Sequence, residues 1–246
     1  MSPSPASKTD APTATLWLLN SLLVSEDDLA LFAEQLGASE AHRYACFTRR
    51  ARRRQFLAGR MLLRFALSYL TPVSPRILER RGHAPQVVLP ESQPQPRFSL
   101  AHSGGWVACG VSTDANLGVD IELNAASRDI VGISQLAFHR EEILWLSEQP
   151  EWTRLPAFYR LWCTREALYK LLCSLGSETN LPSLVGAEGR IESRGRDWHC
   201  YTLPHPDLTL VVASDHPLSV VRNIELAGLT RAEWLSAEET LSLHST

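Results

Sequence analysis

The sequence predicts an α+β fold in two lobes, and three observations lead there. Helical and strand-like segments are interspersed without a regular β-α-β alternation. Each half of the chain holds a long helical stretch followed by several short β-like runs. At 246 residues and 44% hydrophobic, the chain can bury one large core or two smaller ones. The expected layout is a disordered lead-in over 1–13, an N-terminal α+β lobe over 14–114 and a C-terminal α+β lobe over 115–246.

The lead-in is rich in Ser, Pro and Ala and lacks the apolar stretch of a secretory signal. Ala14 to Leu19 reads as the first strand. Ser25 to Leu36 reads as a helix, with Ser25 as N-cap and acidic residues in the first turn, where the helix dipole favours anions. Residues 39–70 hold helix formers, no Pro and one Gly, and make one or two helices. Six prolines between Thr71 and Arg97 forbid a long helix there and leave loops with a short strand at Gln86 to Leu89. Further β-like runs cover 97–101, 106–112 and 116–123. Residues 134–147 turn helical again, and Pro156 suits the first turn of a long helix that stops before Gly176. Runs at 188–192, 198–203, 208–214 and 219–225 read as strands, and 231–244 as a final helix.

The formal net charge is −3, which argues against a protein built to coat nucleic acid, since such domains are strongly basic. No segment reaches the roughly 18 uninterrupted apolar residues of a membrane span. The five cysteines are widely spaced with no CxxC pair, so neither a zinc site nor a disulfide framework is expected. A GxxxxGK[ST] loop is missing, which excludes a P-loop enzyme. The picture is a reduced, soluble, cytoplasmic protein without nucleic-acid or membrane partners.

Between Arg49 and Leu70 the chain carries seven arginines. On a helix, Arg53, Arg60 and Arg64 fall within about 40° of one another. Phe56, Met61, Leu62, Leu63, Phe65 and Leu67 cover most of the remaining circumference, so the helix should be buried. A buried guanidinium stripe is costly unless anions face it. Those anions are either Asp and Glu side chains from another element or the phosphates of a ligand, which guanidinium forks suit well.

Gly118-Val119-Asp120-Ile121-Glu122 carries the sharpest chemical signal. Alternate residues of a strand share a face, so Asp120 and Glu122 project together while Val119 and Ile121 enter the core. Paired carboxylates repel unless a cation sits between them, and hard oxygen ligands suit Mg²⁺. In Trp162-Cys163-Thr164-Arg165-Glu166-Ala167-Leu168-Tyr169-Lys170, Glu166 and Lys170 are one helical turn apart on one face. They supply a third carboxylate and a cation for phosphate charge, or an ordinary surface ion pair.

Taken in order, these motifs resemble the 4'-phosphopantetheinyl transferase superfamily in its two-lobed, Sfp-like branch. GVDIE at 118–122 is similar to the family's metal-binding strand, and LWCTREALYK at 161–170 to its Trp-x-x-Lys-Glu-Ala-x-x-Lys helix. FSLAHSGGWVACGVS at 98–112 resembles its Ser-His-Ser-Gly segment, FLAGRMLLR at 56–64 its Gly-Arg helix, and FHREE at 138–142 a looser motif ending in Glu. The resemblance implies two pseudo-symmetric lobes, each a small, mostly antiparallel sheet packed with a long helix, and coenzyme A in a cleft between them. It further implies a monomer.

By the same resemblance, Asp120, Glu122 and Glu166 hold Mg²⁺, with Mn²⁺ as an alternative, and Lys170 contacts phosphate oxygens. His102, with Ser103 or a backbone group beside it, reaches the 3'-phosphate of coenzyme A. Arg53 and its neighbours, and Arg60, are further candidates for that phosphate, Arg60 being equally suited to a structural tie to the other lobe. The reaction implied is transfer of phosphopantetheine to a serine of an apo acyl or peptidyl carrier protein, with Glu166, Glu142 or a metal-bound water taking the serine proton. The basic helix is one candidate for docking an acidic carrier helix. Three positions depart from the pattern: Arg165 replaces the usual Lys, Ala101 the usual Ser, and Gly82-His83-Ala84-Pro85 a Gly-Lys-Pro turn.

Overall fold

The computed structural model describes residues 12–227, apart from 81, 94, 126, 127, 187, 188 and 194. Most of the lead-in and the helix expected at 231–244 therefore lie outside the described residues. The fold is α+β. A first sheet has the order β10 (Val220–Leu226), β1 (Thr13–Asn20), β5 (Trp106–Ser112), β4 (Arg97–Ser103). A second sheet has the order β6 (Leu117–Leu123), β9 (Leu208–Ser214), β8 (Arg196–Leu203), β7 (Arg190–Ser193) and is antiparallel throughout.

Strand alternation builds three packed layers of apolar side chains. Trp17 and Leu19 of β1 face a core closed by helix α3 (Arg50–Ser68), whose Phe56, Met61, Leu62, Leu63 and Phe65 fill it. Leu16 and Leu18 face the other way, into a central core shared with Leu117, Val119 and Ile121 of β6 and Leu210 and Val212 of β9. The outer face of the second sheet, through Val211 and Ala213, receives helix α6 (Glu151–Ser174). The two long helices thus cover opposite outer faces, and the sheets share the layer between. The period-2 pattern dictates this, because a strand buried on both faces must be apolar at every position except where function or a helix contact intervenes.

Several elements differ from the sequence expectation for identifiable reasons. Residues 39–70 form two helices, α2 (Ala38–Ala45) and α3, after α1 (Glu26–Glu34). The proline-rich stretch holds a two-stranded hairpin, β2 (Arg76–Leu78) with β3 (Gln86–Val88), where one strand was expected. The helix expected over 134–147 is two, α4 (Ile130–Ala137) and α5 (Arg140–Glu148), because His139 is extended and its N–H donates to Glu142 at 2.7 Å as an N-terminal cap. Helix α6 begins at Glu151, before Pro156, which sits inside the helix.

The largest difference is β10. Its residues were expected in the C-terminal lobe, yet it pairs in parallel with β1, Val220 beside Thr13 and Leu226 beside Leu19. Parallel pairing needs a long crossover, here supplied by the whole intervening chain, so the last strand ties the second half back onto the first sheet.

Candidate active site

The edges of the two sheets meet along β4 and β6, and two hydroxyls replace the missing ladder. Ser99 Oγ accepts the Val119 N–H at 2.9 Å, and Ser103 Oγ accepts the Leu123 N–H at 3.1 Å. The Ser103 hydroxyl in turn donates to Glu122 Oε2 at 2.7 Å. Ser103, expected beside a phosphate, is thus occupied in orienting Glu122.

On the outer face of β6, helix α6 comes to rest against the strand itself. A Cβ at Gly118 would lie 2.8 Å from the Leu171 nitrogen, so only glycine admits this approach. The contact delivers Lys170 to the strand: its Nζ donates to Asp120 Oδ1 and to the Val119 carbonyl, both at 2.8 Å. Asp120 is 7% exposed, and its other oxygen, Oδ2, is buried without a partner. Burial lifts the Asp120 carboxyl to about 6 against the opposing pull of Lys170. A buried acceptor without an internal donor is rare, and a cation is a partner that suits it.

Glu122, the next residue on the same face, is paired with Arg128 at 2.9 Å. Glu166 lies half-buried on α6, one turn before Lys170, with no hydrogen-bond or ion-pair partner among the described residues. Among the described residues no three His, Cys, Asp or Glu groups stand close enough to cage an ion by themselves. The donor set nonetheless fits Mg²⁺ chemistry: hard carboxylate oxygens, one of them orphaned, of the kind Mg²⁺ takes alongside water and phosphate oxygens. Cys163, on the same helix, is no nucleophile, because burial and then Asp120 push its thiol well up.

Across the seam, His102 ends β4 and meets Arg52 of α3, whose Nη1 is directly against His102 Nε2. Burial, then the cations Arg52 and Lys170, push His102 down to about 4, although part of the ring meets solvent. The imidazole is therefore neutral near pH 7, with the cations Arg52 and Lys170 outweighing the pull of the Glu122 carboxylate. Gln55 anchors the same end of α3 through its amide N–H on the Gly104 carbonyl at 2.6 Å. Arg52 belongs to the basic run that the sequence made conspicuous, but only the fold singles it out from its neighbours.

The other expected residues have internal partners. Arg60 donates to Glu79 at 2.7 Å and lies 3.7 Å from Glu40, while Arg64 forks onto Glu40 at 3.0 and 2.6 Å. Glu40 is fully buried and Arg60 7% exposed, so protein carboxylates are the anions that this arginine stripe required. Arg53 rests over the Tyr44 ring, 4.4 Å from its centroid. Glu142 has no solvent exposure, and both of its oxygens are taken, by Arg165 at 2.8 and 3.1 Å, the Leu184 N–H at 2.8 Å and the His139 N–H at 2.7 Å. Glu142, one of the expected alternatives for proton acceptor, fastens the 177–184 segment and α5 onto α6. Arg165, in place of the family's lysine, also reaches the Pro182 carbonyl at 3.4 Å. Ala101, on the same face of β4 as Ser99 and Ser103, is buried against β6 in the central core.

Residues 116–215 match the family described as the 4'-phosphopantetheinyl transferase superfamily. That span begins just before β6 and ends just after β9, so it includes Asp120, Glu122, Glu166 and Lys170. The chain is 33% identical over 140 residues to the 4'-phosphopantetheinyl transferase psf-1 of Bacillus pumilus, covering 56% of each. It is 28% identical over 151 residues to HetI of Nostoc, with 59% of this chain and 62% of HetI covered. To AcpT of Salmonella typhi it is 33% identical over 128 residues, 48% of this chain and 58% of that protein. The sequence similarity thus spans about half the length of these relatives, all named as 4'-phosphopantetheinyl transferases. Among the described residues no helix is long and apolar enough to cross a membrane.

Proposed function

We propose that this protein transfers the 4'-phosphopantetheine arm of coenzyme A to a serine of an apo acyl or peptidyl carrier protein, releasing 3',5'-ADP. The observation that carries the reading is the state of Asp120, with one oxygen on Lys170 and the other buried and orphaned beside Glu122. A divalent cation, Mg²⁺ with Mn²⁺ as an alternative, would be held by Asp120, Glu122 and Glu166 and would neutralise the pyrophosphate as its bond breaks. Lys170, anchored on the strand, stabilises charge on the departing nucleotide. Arg52 and His102 take the 3'-phosphate, a dianion matched to the two cations that already face the imidazole.

Glu166 accepts the serine proton in this reading, because its carboxylate lacks an internal partner whereas that of Glu142 is saturated. Glu142 and Arg165 act as a tether, and Arg53 and Arg60 as structural residues of the first lobe. The protein works as a cytoplasmic monomer, its partners coenzyme A and the carrier.

The test is to incubate the protein with coenzyme A, Mg²⁺ and a panel of apo carrier proteins and to weigh the carriers by intact mass spectrometry. One added phosphopantetheine, lost with EDTA and with Asp120→Ala, is the expected result. Coenzyme A binding without transfer to any carrier would replace the enzyme with a non-catalytic binder. Neither binding nor transfer would overturn the reading.

A further inference from the structure

Both metal-binding candidates on β6 are already neutralised by protein cations. Lys170 Nζ holds Asp120 at 2.8 Å, and Arg128 Nη1 holds Glu122 at 2.9 Å. The second pair has an unusual seat. The Arg128 guanidinium carbon lies 5.6 Å from the ring centroids of both Tyr159 and Trp162. Tyr159 is itself immobilised: it is fully buried, and its hydroxyl donates to the Ala125 carbonyl and accepts the Ala125 N–H, each at 3.0 Å. The aromatic platform fixes where the guanidinium sits, independently of Glu122. Releasing the carboxylate therefore leaves the cation beside the site on its platform, with its fork freed for another anion.

We infer that Arg128 is a displaceable counter-cation that makes the site take a divalent cation together with a diphosphate, and bind the bare ion poorly. A bare ion entering between Asp120 and Glu122 meets carboxylates whose charge Lys170 and Arg128 already neutralise, and it places a third cation beside those two. A diphosphate arriving with the ion supplies anionic oxygens to the released guanidinium and ammonium groups. Each ligand removes a penalty the other would meet, which is positive coupling, and linkage makes it reciprocal. The inference rests on the proposed use of Asp120 and Glu122 as metal ligands and extends it to a residue outside the motif that suggested them.

The measurement is Mn²⁺ binding, read by electron paramagnetic resonance of the free ion, with and without saturating coenzyme A and with no carrier present. In the unaltered protein, coenzyme A should tighten Mn²⁺ by roughly tenfold or more, within the usual range of coupling between sites. Arg128→Gln should bind Mn²⁺ alone several-fold more tightly, about three- to tenfold, and the coenzyme A effect should shrink by a similar factor. Arg128→Met, which keeps an apolar stem on the aromatic platform, serves as a second neutral variant should the first fold poorly. Arg128→Lys should retain the parent pattern. Arg190→Gln, which removes an exposed ion pair with Asp197, should change nothing. Unchanged or weaker binding of Mn²⁺ alone in both neutral variants would overturn the inference, as would undiminished coupling. Coupling here with no transfer in the carrier assay would defeat the enzymatic reading alone, and transfer there with coupling undiminished in both neutral variants would defeat this inference alone.

Discussion

The β-carbon that Gly118 lacks would collide with the carbonyl oxygen of Ala167. The obstacle is helix backbone and no rotamer change relieves it, so an alanine at 118 must push α6 off β6. Lys170 and Glu166 travel with the helix, while Asp120 and Glu122 stay with the strand. Gly118→Ala should therefore destabilise the protein by about 3 kcal/mol or more and remove most transfer activity at temperatures where it remains folded. Denaturant melts paired with the intact-mass assay separate the two effects. A well-folded Gly118→Ala protein with parental activity would show that this approach does not set the site.

Much of this arrangement was legible in the sequence, and the reasons are local. The alternation in GVDIE decides by itself that Asp120 and Glu122 share a face, and one helical turn puts Glu166 beside Lys170. The arginine stripe announced that α3 needed anions, but Glu40 and Glu79 come from elsewhere in the chain, and nothing local identifies them. Arg128 was missed, and Arg52 was not told apart from the other neighbours of Arg53, because their roles depend on side chains 6 and 50 positions away that only folding brings into contact. The break at His139 hides within continuous helical patterning, since a cap depends on backbone geometry as well as on residue type. The return of β10 to β1 was illegible for a related reason: alternation defines a strand's faces without naming its neighbour.

Replacing Glu142 distinguishes a tether from a proton acceptor. Glu142→Gln leaves Arg165, whose side chain is 16% exposed, without a counter-charge and turns one of the two oxygens, which accepts two of the four hydrogen bonds, into a donor. Breaking such a buried pair costs about 3–5 kcal/mol. The expected result is a large fall in thermal stability, with transfer per folded molecule within about tenfold of the parent at low temperature. A general base would give the reverse, a rate loss of about 10²–10⁴ in a stable protein. Glu166→Gln is expected to follow that second pattern.

Asp120 and His102 oppose each other in acid. Asp120 is raised to about 6, so it binds a proton more readily folded than unfolded. Its contribution is fully present below its unfolded value near 4 and is lost as pH rises through 6. Removing it with Asp120→Asn should make the metal-free protein gain stability relative to the parent as pH rises from 4 to 7, by up to about 3 kcal/mol. His102 is lowered to about 4, so the unfolded chain takes up a proton first as pH falls below 6.5. Its contribution therefore declines from pH 6.5 towards 4, and His102→Asn should gain relative stability in that direction. Thermal melts of the parent and both variants across this range, in EDTA, should show the two slopes with opposite signs. Parallel slopes would mean that one of the two environments is not as described.

The pairing of Arg52 with His102 makes a prediction about which phosphate is recognised. If these residues receive the 3'-phosphate, Arg52→Ala and His102→Ala should each weaken coenzyme A while leaving 3'-dephospho-coenzyme A nearly unaffected. A charge-assisted hydrogen bond to phosphate is worth about 1.5–3 kcal/mol, so each loss should be roughly tenfold to a hundredfold in Kd. The two side chains touch, so their effects should not add: the double variant should lose less than the product of the single losses. Arg60→Ala is the contrasting case. Its guanidinium is closed by Glu79 and Glu40, so its removal should lower stability and leave the ratio of the two coenzyme affinities unchanged. Calorimetry with both coenzymes decides the matter, because a general loss of fold weakens both ligands whereas loss of a phosphate contact weakens only the one that carries that phosphate.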